Sequence, residues 1–317
     1  MEYVGIQTQQ SRNNLRSLLL LVFFPILVLG LVLLFCYLLL YLSGDMSYYP
    51  NPGEVVWSMF VEIAPWTLVF VIVWFLIAYF TNTSIIKNAT RSRPLERKDN
   101  KRVYNLVENL CMAQGMPAPK INVIDDDSLN AFASGIDKKS YTVTLTTGII
   151  EKLDDEELEG VIAHELSHIR NHDVRLLIVS IVFVGIFAMV AQICIRLAAS
   201  GSGRNKKSGG AAVLLIAMAV ALLGYLFSTL MRFAISRKRE YLADAGAAEM
   251  TKKPSALASA LRKISDNPEV EALKREDVAQ LFIQHPKMGA SGKKSAFGDI
   301  FATHPPIEKR IQVLEQF

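Results

Sequence analysis

The sequence predicts a mainly α integral membrane protein with about four transmembrane helices and a polar α+β domain built around a small sheet. Three observations carry that reading: a mean hydropathy of +0.28 with 51% hydrophobic residues, long runs almost free of charge, and two polar blocks separated by the last pair of runs. A net charge of +4 is small for 317 residues, and Lys and Arg lie beside the apolar runs instead of forming one tract, so no nucleic-acid partner is expected. Cys36, Cys111 and Cys194 are far apart and show no CxxC spacing, which excludes a disulfide framework.

The apolar runs occupy residues 17–43, 56–81, 174–199 and 211–235. As helices, runs of about 25 residues rise ~37 Å, more than a ~30 Å hydrocarbon layer needs. The first run is too long for a signal-peptide core and no small-residue cleavage pattern follows it, so a retained anchor is expected. The loop 44–55 has no Lys or Arg, whereas Arg12 and Arg16 precede the first run and Lys87, Arg91, Arg93, Arg97, Lys98, Lys101 and Arg102 follow the second. That asymmetry puts both ends of the first pair in the cytoplasm. Glu62 interrupts the second run and, as an intramembrane carboxylate, is a functional suspect near its outer third. Arg204, Lys206 and Lys207 oppose translocation of the loop between the third and fourth runs, although a full crossing is the favoured reading.

The chain therefore divides into an anchor of two transmembrane helices (1–81), a polar block (82–173), a hydrophobic hairpin (174–235) and a second polar block (236–317). In the first block Val103, Leu106, Val107, Leu110 and Cys111 recur at helical spacing and stop at Gly115. Lys120 to Ile124, Asn130 to Ser134 and Ser140 to Thr146 read as strands, giving a sheet of about three. Asp154 and Glu157 form a capping-box pattern that opens a helix through Leu158, Val161, Ile162, Leu166 and Ile169. The second block reads as helices over Ser236 to Glu249, over Pro254 to Ile264, and after Pro305 and Pro306; Gln284 to Asp299 reads as a Gly- and Ser-rich loop.

The helix after Asp154 carries His164-Glu165-Leu166-Ser167-His168, an HExxH. The i, i+4 spacing stacks both imidazoles on one face, where they can share one zinc ion, and sets Glu165 beside them to take a proton from an attacking water. A catalytic zinc usually needs a third protein ligand. His172 continues the series but lies ~12 Å along a straight helix from His164, so it reads as a helix C-terminal residue favoured by the macrodipole. Glu240 is the better candidate, with Asp244 one turn on to orient a ligand imidazole; the hairpin brings these ends together.

HELSH, the downstream EYLAD, the edge-strand-like Asn130-Ala131-Phe132-Ala133-Ser134-Gly135, and Thr303-His304-Pro305-Pro306 followed by Arg310 stand in the order of the HtpX-type membrane zinc proteases, relatives of the CAAX prenyl-protein endopeptidases. The chain resembles that family over nearly its whole length. The resemblance implies a zincin-like metalloprotease domain facing the cytoplasm of the bacterial inner membrane. It implies one Zn2+ per chain on His164, His168 and Glu240, with Glu165 as base. It puts His304 and Arg310 at the oxyanion or the substrate, and an extended substrate against Asn130, Ala131, Phe132 and Ala133. Ser134 stands where the family commonly has Thr. The implied partners are unfolded or membrane protein substrates and the bilayer. Prenyl-protein processing fits less well because only four apolar runs exist. A non-catalytic adaptor with structural zinc would have no use for Glu165.

Overall fold

The structure, a computed structural model, describes residues 6–42, 48–200, 209–266, 283 and 305–316. The basic loop at Arg204, Lys206 and Lys207, the segment Gln284 to Asp299, and His304 lie outside the described residues. In chain order the elements are α1 (Ile6–Leu42), α2 (Pro52–Thr90), β1 (Arg93–Pro94), α3 (Lys101–Ala113), β2 (Lys120–Ile124), β3 (Ala131–Ser134), β4 (Thr142–Thr146), α4 (Thr147–Lys152), α5 (Asp155–Arg170), α6 (Asp173–Ser200), α7 (Gly209–Thr251), α8 (Pro254–Asp266) and α9 (Ile307–Leu314). The chain is thus a mainly α membrane protein with a small mixed sheet. It separates into one unit of residues 1–15, 81–178 and 233–317 and another of residues 16–80 and 179–232.

The second unit is built from the apolar runs. Ser11–Leu42, Pro52–Thr81 and Asp173–Arg196 are long and apolar enough to cross a membrane, and Val213–Thr229 is apolar over a shorter length, all among the described residues. Its interior is aromatic and tight: Phe24 stacks on Phe183 with ring centroids 3.8 Å apart and meets Phe187 edge-on. Gly224 faces the Phe187 ring where no Cβ fits. The outward positions are apolar too: Leu18, Phe23, Ile26, Trp66, Ile72 and Phe80 are exposed. Such a surface suits lipid, where burying apolar groups outside is not a penalty.

The first unit holds a four-stranded sheet of order β1-β2-β4-β3, with β2 and β4 parallel and the outer pairs antiparallel. β1 is the strand the sequence did not suggest. It is two residues long, so it shows no alternation, and Pro94 has no N–H, which suits it only to an edge. Val123, Val143, Leu145 and Phe132 of the sheet are buried; α5 packs against β3 and β4, and α3, with Val103, Val107 and Leu110 buried, packs against α5.

α5 begins as the sequence predicts. Asp154 accepts from the Glu157 N–H at 2.9 Å and Glu157 Oε2 accepts from the Asp154 N–H at 3.1 Å, closing the capping box. The same carboxylate takes Ser259 Oγ and Lys263 Nζ of α8, each at 2.7 Å. These bonds hold the Glu157 carboxyl below its usual range although burial opposes them. Glu157→Ala is expected to cost about 1–2 kcal/mol, the worth of a helix cap plus a lost bond to charge, read as a lower unfolding midpoint. Because the folded pKa is depressed, that difference is present above the ordinary carboxylate pKa and shrinks as pH falls through the folded value.

Two helices run further than the apolar patterns alone. α2 continues past the second run to Thr90 and ends where Arg91 turns left-handed at φ 54°. α7 joins the fourth apolar run and the EYLAD segment in one helix of 43 residues. No Pro and only Gly224 and Gly246 interrupt it from Val213 on, so nothing in the sequence stops it.

Candidate metal centre

Glu240 and Asp244 sit one turn apart on α7, and His164 and His168 one turn apart on α5, so each helix offers one pair on one face. Close approach is possible because Gly246 lies against α5: an added Cβ would stand 2.6 Å from Ser167 Oγ. His164 Nε2 and His168 Nε2 are 3.2 Å apart. Glu240 closes the triangle, with Oε1 3.5 Å from His168 Nε2 and Oε2 3.7 Å from His164 Nε2. Among the described residues these three form the one His/Cys/Asp/Glu group with donor atoms all close enough to hold an ion.

The triangle fits a tetrahedral metal. Ligand atoms about 2.0–2.1 Å from zinc at tetrahedral angles stand roughly 3.3 Å from one another. The outer ring nitrogens are committed elsewhere: His164 Nδ1 lies 2.9 Å from Asp244 Oδ1 and His168 Nδ1 3.2 Å from Asp173 Oδ2. Each Nδ1–H therefore donates to a carboxylate, which leaves both Nε2 lone pairs pointing inward with the Glu240 oxygens. Three acceptors so close repel unless positive charge sits among them. A proton can supply it: burial works against a charged His164, but Asp244 and Glu240 outweigh burial and push its pKa up to about 9. A divalent cation supplies it better, and must expel that proton. Affinity for a divalent metal is accordingly expected to fall by about tenfold per pH unit for each proton displaced as pH drops below ~9. Competition titrations across that range check this; a flat profile would mean that no such proton is held.

Glu165 is buried beside this cluster, and burial raises its carboxyl pKa although both imidazoles pull it down. β3 packs against α5, the helix that carries this base, and the Ala133 backbone favours the charged carboxylate. β3 is the edge strand of the sheet, as the motif suggests, but it is not open to solvent. Asn130, Ala131, Phe132 and Ala133 are all buried, and the Ala131 carbonyl accepts the N–H of Ile283 at 2.8 Å. One position on that edge is thus taken by the chain's own backbone.

Arg310, on α9, is 1% exposed. Its Nε and Nη2 bond Asp244 Oδ2 and Oδ1 at 2.9 and 2.7 Å, a two-pronged grip. Nη1 lies 3.4 Å from Glu240 Oε2 and donates to the Ile283 carbonyl at 3.2 Å. The guanidinium charge keeps the Asp244 carboxyl below its usual range against the effect of burial. The resemblance implies a place for this residue at the oxyanion or the substrate; in the structure two of its nitrogens bond Asp244.

His172 ends α5 in a left-handed turn, φ 60°, and its Nδ1 lies 2.9 Å from Asn14 Oδ1, away from the ligand triangle. Burial and Arg175 lower its pKa, so the charged form that a helix C-terminus would favour is disfavoured here. Asp173 is the residue the sequence reading missed. At the first position of an apolar helix it looks like a charge marking a membrane boundary, yet it is 3% exposed and orients His168. Its place five residues after the second motif His, just past the helix end, was the available signal.

The family model described as peptidase family M48 matches residues 97–317. A "Protease HtpX homolog" of Bacteroides fragilis is 66% identical over 322 residues, covering 100% of both chains. A "Protease HtpX homolog" of Dictyoglomus turgidum is 40% identical over 253 residues, covering 77% of this chain and 81% of that one. The crystal structure of S. mikatae Ste24p aligns at 22% identity with a TM-score of 0.43, covering 87% of this chain and 61% of that chain.

Proposed function

The chain belongs to peptidase family M48 and is a membrane metallopeptidase of HtpX type; on that premise we propose a zinc-dependent endopeptidase that cuts unfolded or damaged membrane proteins from the cytoplasmic face of a bacterial inner membrane. The observation that carries the proposal is the ligand triangle of His164, His168 and Glu240 with a buried carboxylate, Glu165, beside it. A structural metal site has no use for that carboxylate, which disfavours the adaptor reading.

Bound zinc would polarise the scissile carbonyl and acidify the attacking water. The remaining work falls to the chain. Glu165, its basicity raised by burial, accepts the water's proton and passes it to the leaving amine. Asp244 and Asp173 hold the two imidazoles by their Nδ1–H groups, and Arg310 holds Asp244. Residues Asn130 to Ala133 offer backbone to an extended substrate, a mode tolerant of side chains, once the Ile283 contact gives way. The cytoplasmic setting rests on the Lys and Arg asymmetry around the first two apolar runs.

The test is cleavage of an unfolded model protein by the full-length protein in detergent, before and after a chelator and with zinc restored. Loss with chelator and recovery with zinc are expected; activity indifferent to both would refute a metal enzyme. Glu240→Ala should weaken zinc retention by at least about tenfold, whereas His172→Ala should leave it near wild type. The opposite order, measured by metal content after dialysis, would reassign the third ligand.

A further inference from the structure

Asn13 stands in α1 ahead of the uninterrupted apolar run and is wholly buried. Its Nδ2 donates to the Asn171 carbonyl at 2.8 Å and to Asp173 Oδ1 at 2.7 Å. Both partners accept only, so chemistry fixes which end of the amide faces them. The first bond satisfies a carbonyl at the C-terminal end of α5, as any helix end requires. The second has no such ordinary explanation. Asp173 uses its other oxygen to hold His168 Nδ1, so amide, carboxylate and ligand imidazole stand in series.

Asp173 is also reached from the opposite ligand. Arg239, adjacent to Glu240 on α7, donates to the Asp173 carbonyl at 3.0 Å and stands 3.9 Å from Oδ1. One buried residue thus collects α1, the HExxH helix and the helix of the third ligand. A carboxylate bonded at both oxygens cannot turn about its Cβ–Cγ bond without breaking a contact, and the imidazole it holds is fixed with it.

We propose that Asn13, in the first apolar helix, is a positioning residue for the metal centre and holds His168 in its ligating orientation through Asp173. The proposal rests on His164, His168 and Glu240 being the ligands. It gives the N-terminal helix a part in metal binding beyond tethering the protein.

The experiment uses the full-length protein in detergent. Zinc affinity is measured by competition with a chromogenic chelator in a Glu165→Gln background, which cannot cut itself. Peptide kcat and KM are measured with Glu165 intact, at limiting and at saturating zinc. Asn13→Asp keeps the shape, removes both N–H donors and sets a second negative charge beside Asp173; Asn13→Ala removes the amide alone. Both are expected to weaken zinc affinity by roughly tenfold, the aspartate more, the scale seen when groups behind a ligand are changed. The kcat lost at limiting zinc should return at saturating zinc with KM unchanged. The exchange Asn13→Asp with Asp173→Asn, which re-forms the bond with the donor on the other side, should recover part of the affinity.

Asn14→Ala, which removes the side chain bonded to His172, should stay within about twofold of wild type. Wild-type affinity in both Asn13 variants, or an equal loss in Asn14→Ala, overturns the proposal. A loss that follows the unfolding temperature and does not respond to the exchange does so too. Should Asn13→Asp fail to fold, Asn13→Ala decides. If wild type holds no zinc, or His168→Ala keeps it, the ligand set itself is wrong; if His168→Ala loses zinc and the Asn13 variants keep it, only the present inference fails.

Discussion

Glu165→Gln is expected to keep its metal and to lose peptide cleavage by about 10²- to 10⁴-fold, the range a positioned general base contributes. The substitution preserves shape and volume, so the ligand triangle and β3 should not move. What disappears is the proton acceptor. Burial has already raised the basicity of this carboxylate, so its removal takes away a group tuned toward neutral pH. Metal content and kcat measured on the same preparation make the comparison. A variant that retains zinc and cleaves at the wild-type rate would remove Glu165 from the mechanism.

The largest structural effect is expected at Arg310. Arg310→Met deletes a cation that is 1% exposed and leaves Asp244, itself 1% exposed, with the His164 Nδ1–H as its remaining partner. Breaking a buried pair by removing one partner costs about 3–5 kcal/mol because the other charge stays buried without compensation. Zinc affinity should fall as well, since Asp244 orients His164. Arg310→Lys should rescue little: an ammonium cannot reproduce the two-pronged contact of Nε and Nη2. Arg310→Met with Asp244→Asn should cost less than the single change, because the isolated charge is then gone. Unfolding midpoints of the set in one detergent decide it. A single variant within about 1 kcal/mol of wild type would mean that Asp244 is compensated by other means.

These effects differ in how far the sequence announces them. The Asp154–Glu157 capping box and the His164 to His168 spacing are local geometry: a helix brings i, i+3 and i+4 together whatever surrounds it, so the pattern can be read from letters alone. The apolar runs are legible for the same kind of reason, since crossing lipid sets a length and a composition that need no partner. Glu240 with Asp244 is half legible. The spacing is local, but its use depends on α7 reaching α5, and that depends on Gly246 fitting against Ser167.

Asn13, Asp173 and Arg310 are not legible in this way. Asn13 and Asp173 are 160 positions apart, and Arg310 and Asp244 are 66 apart. No period or spacing links such pairs, and an Asp at the start of an apolar run has the same letter whether it faces lipid headgroups or a ligand imidazole. The closed edge of β3 is similar, because Ile283 is joined to Ala131 by backbone atoms that every residue possesses. The amino-acid sequence by itself therefore determined the family, the membrane-spanning character, the HExxH helix and the chemistry it serves. Only the tertiary structure decided that Asp173 orients the second imidazole, that Arg310 braces Asp244, and that Asn13 bonds Asp173: hydrogen bonds between distant segments exist only once packing has excluded water and brought their atoms within about 3 Å.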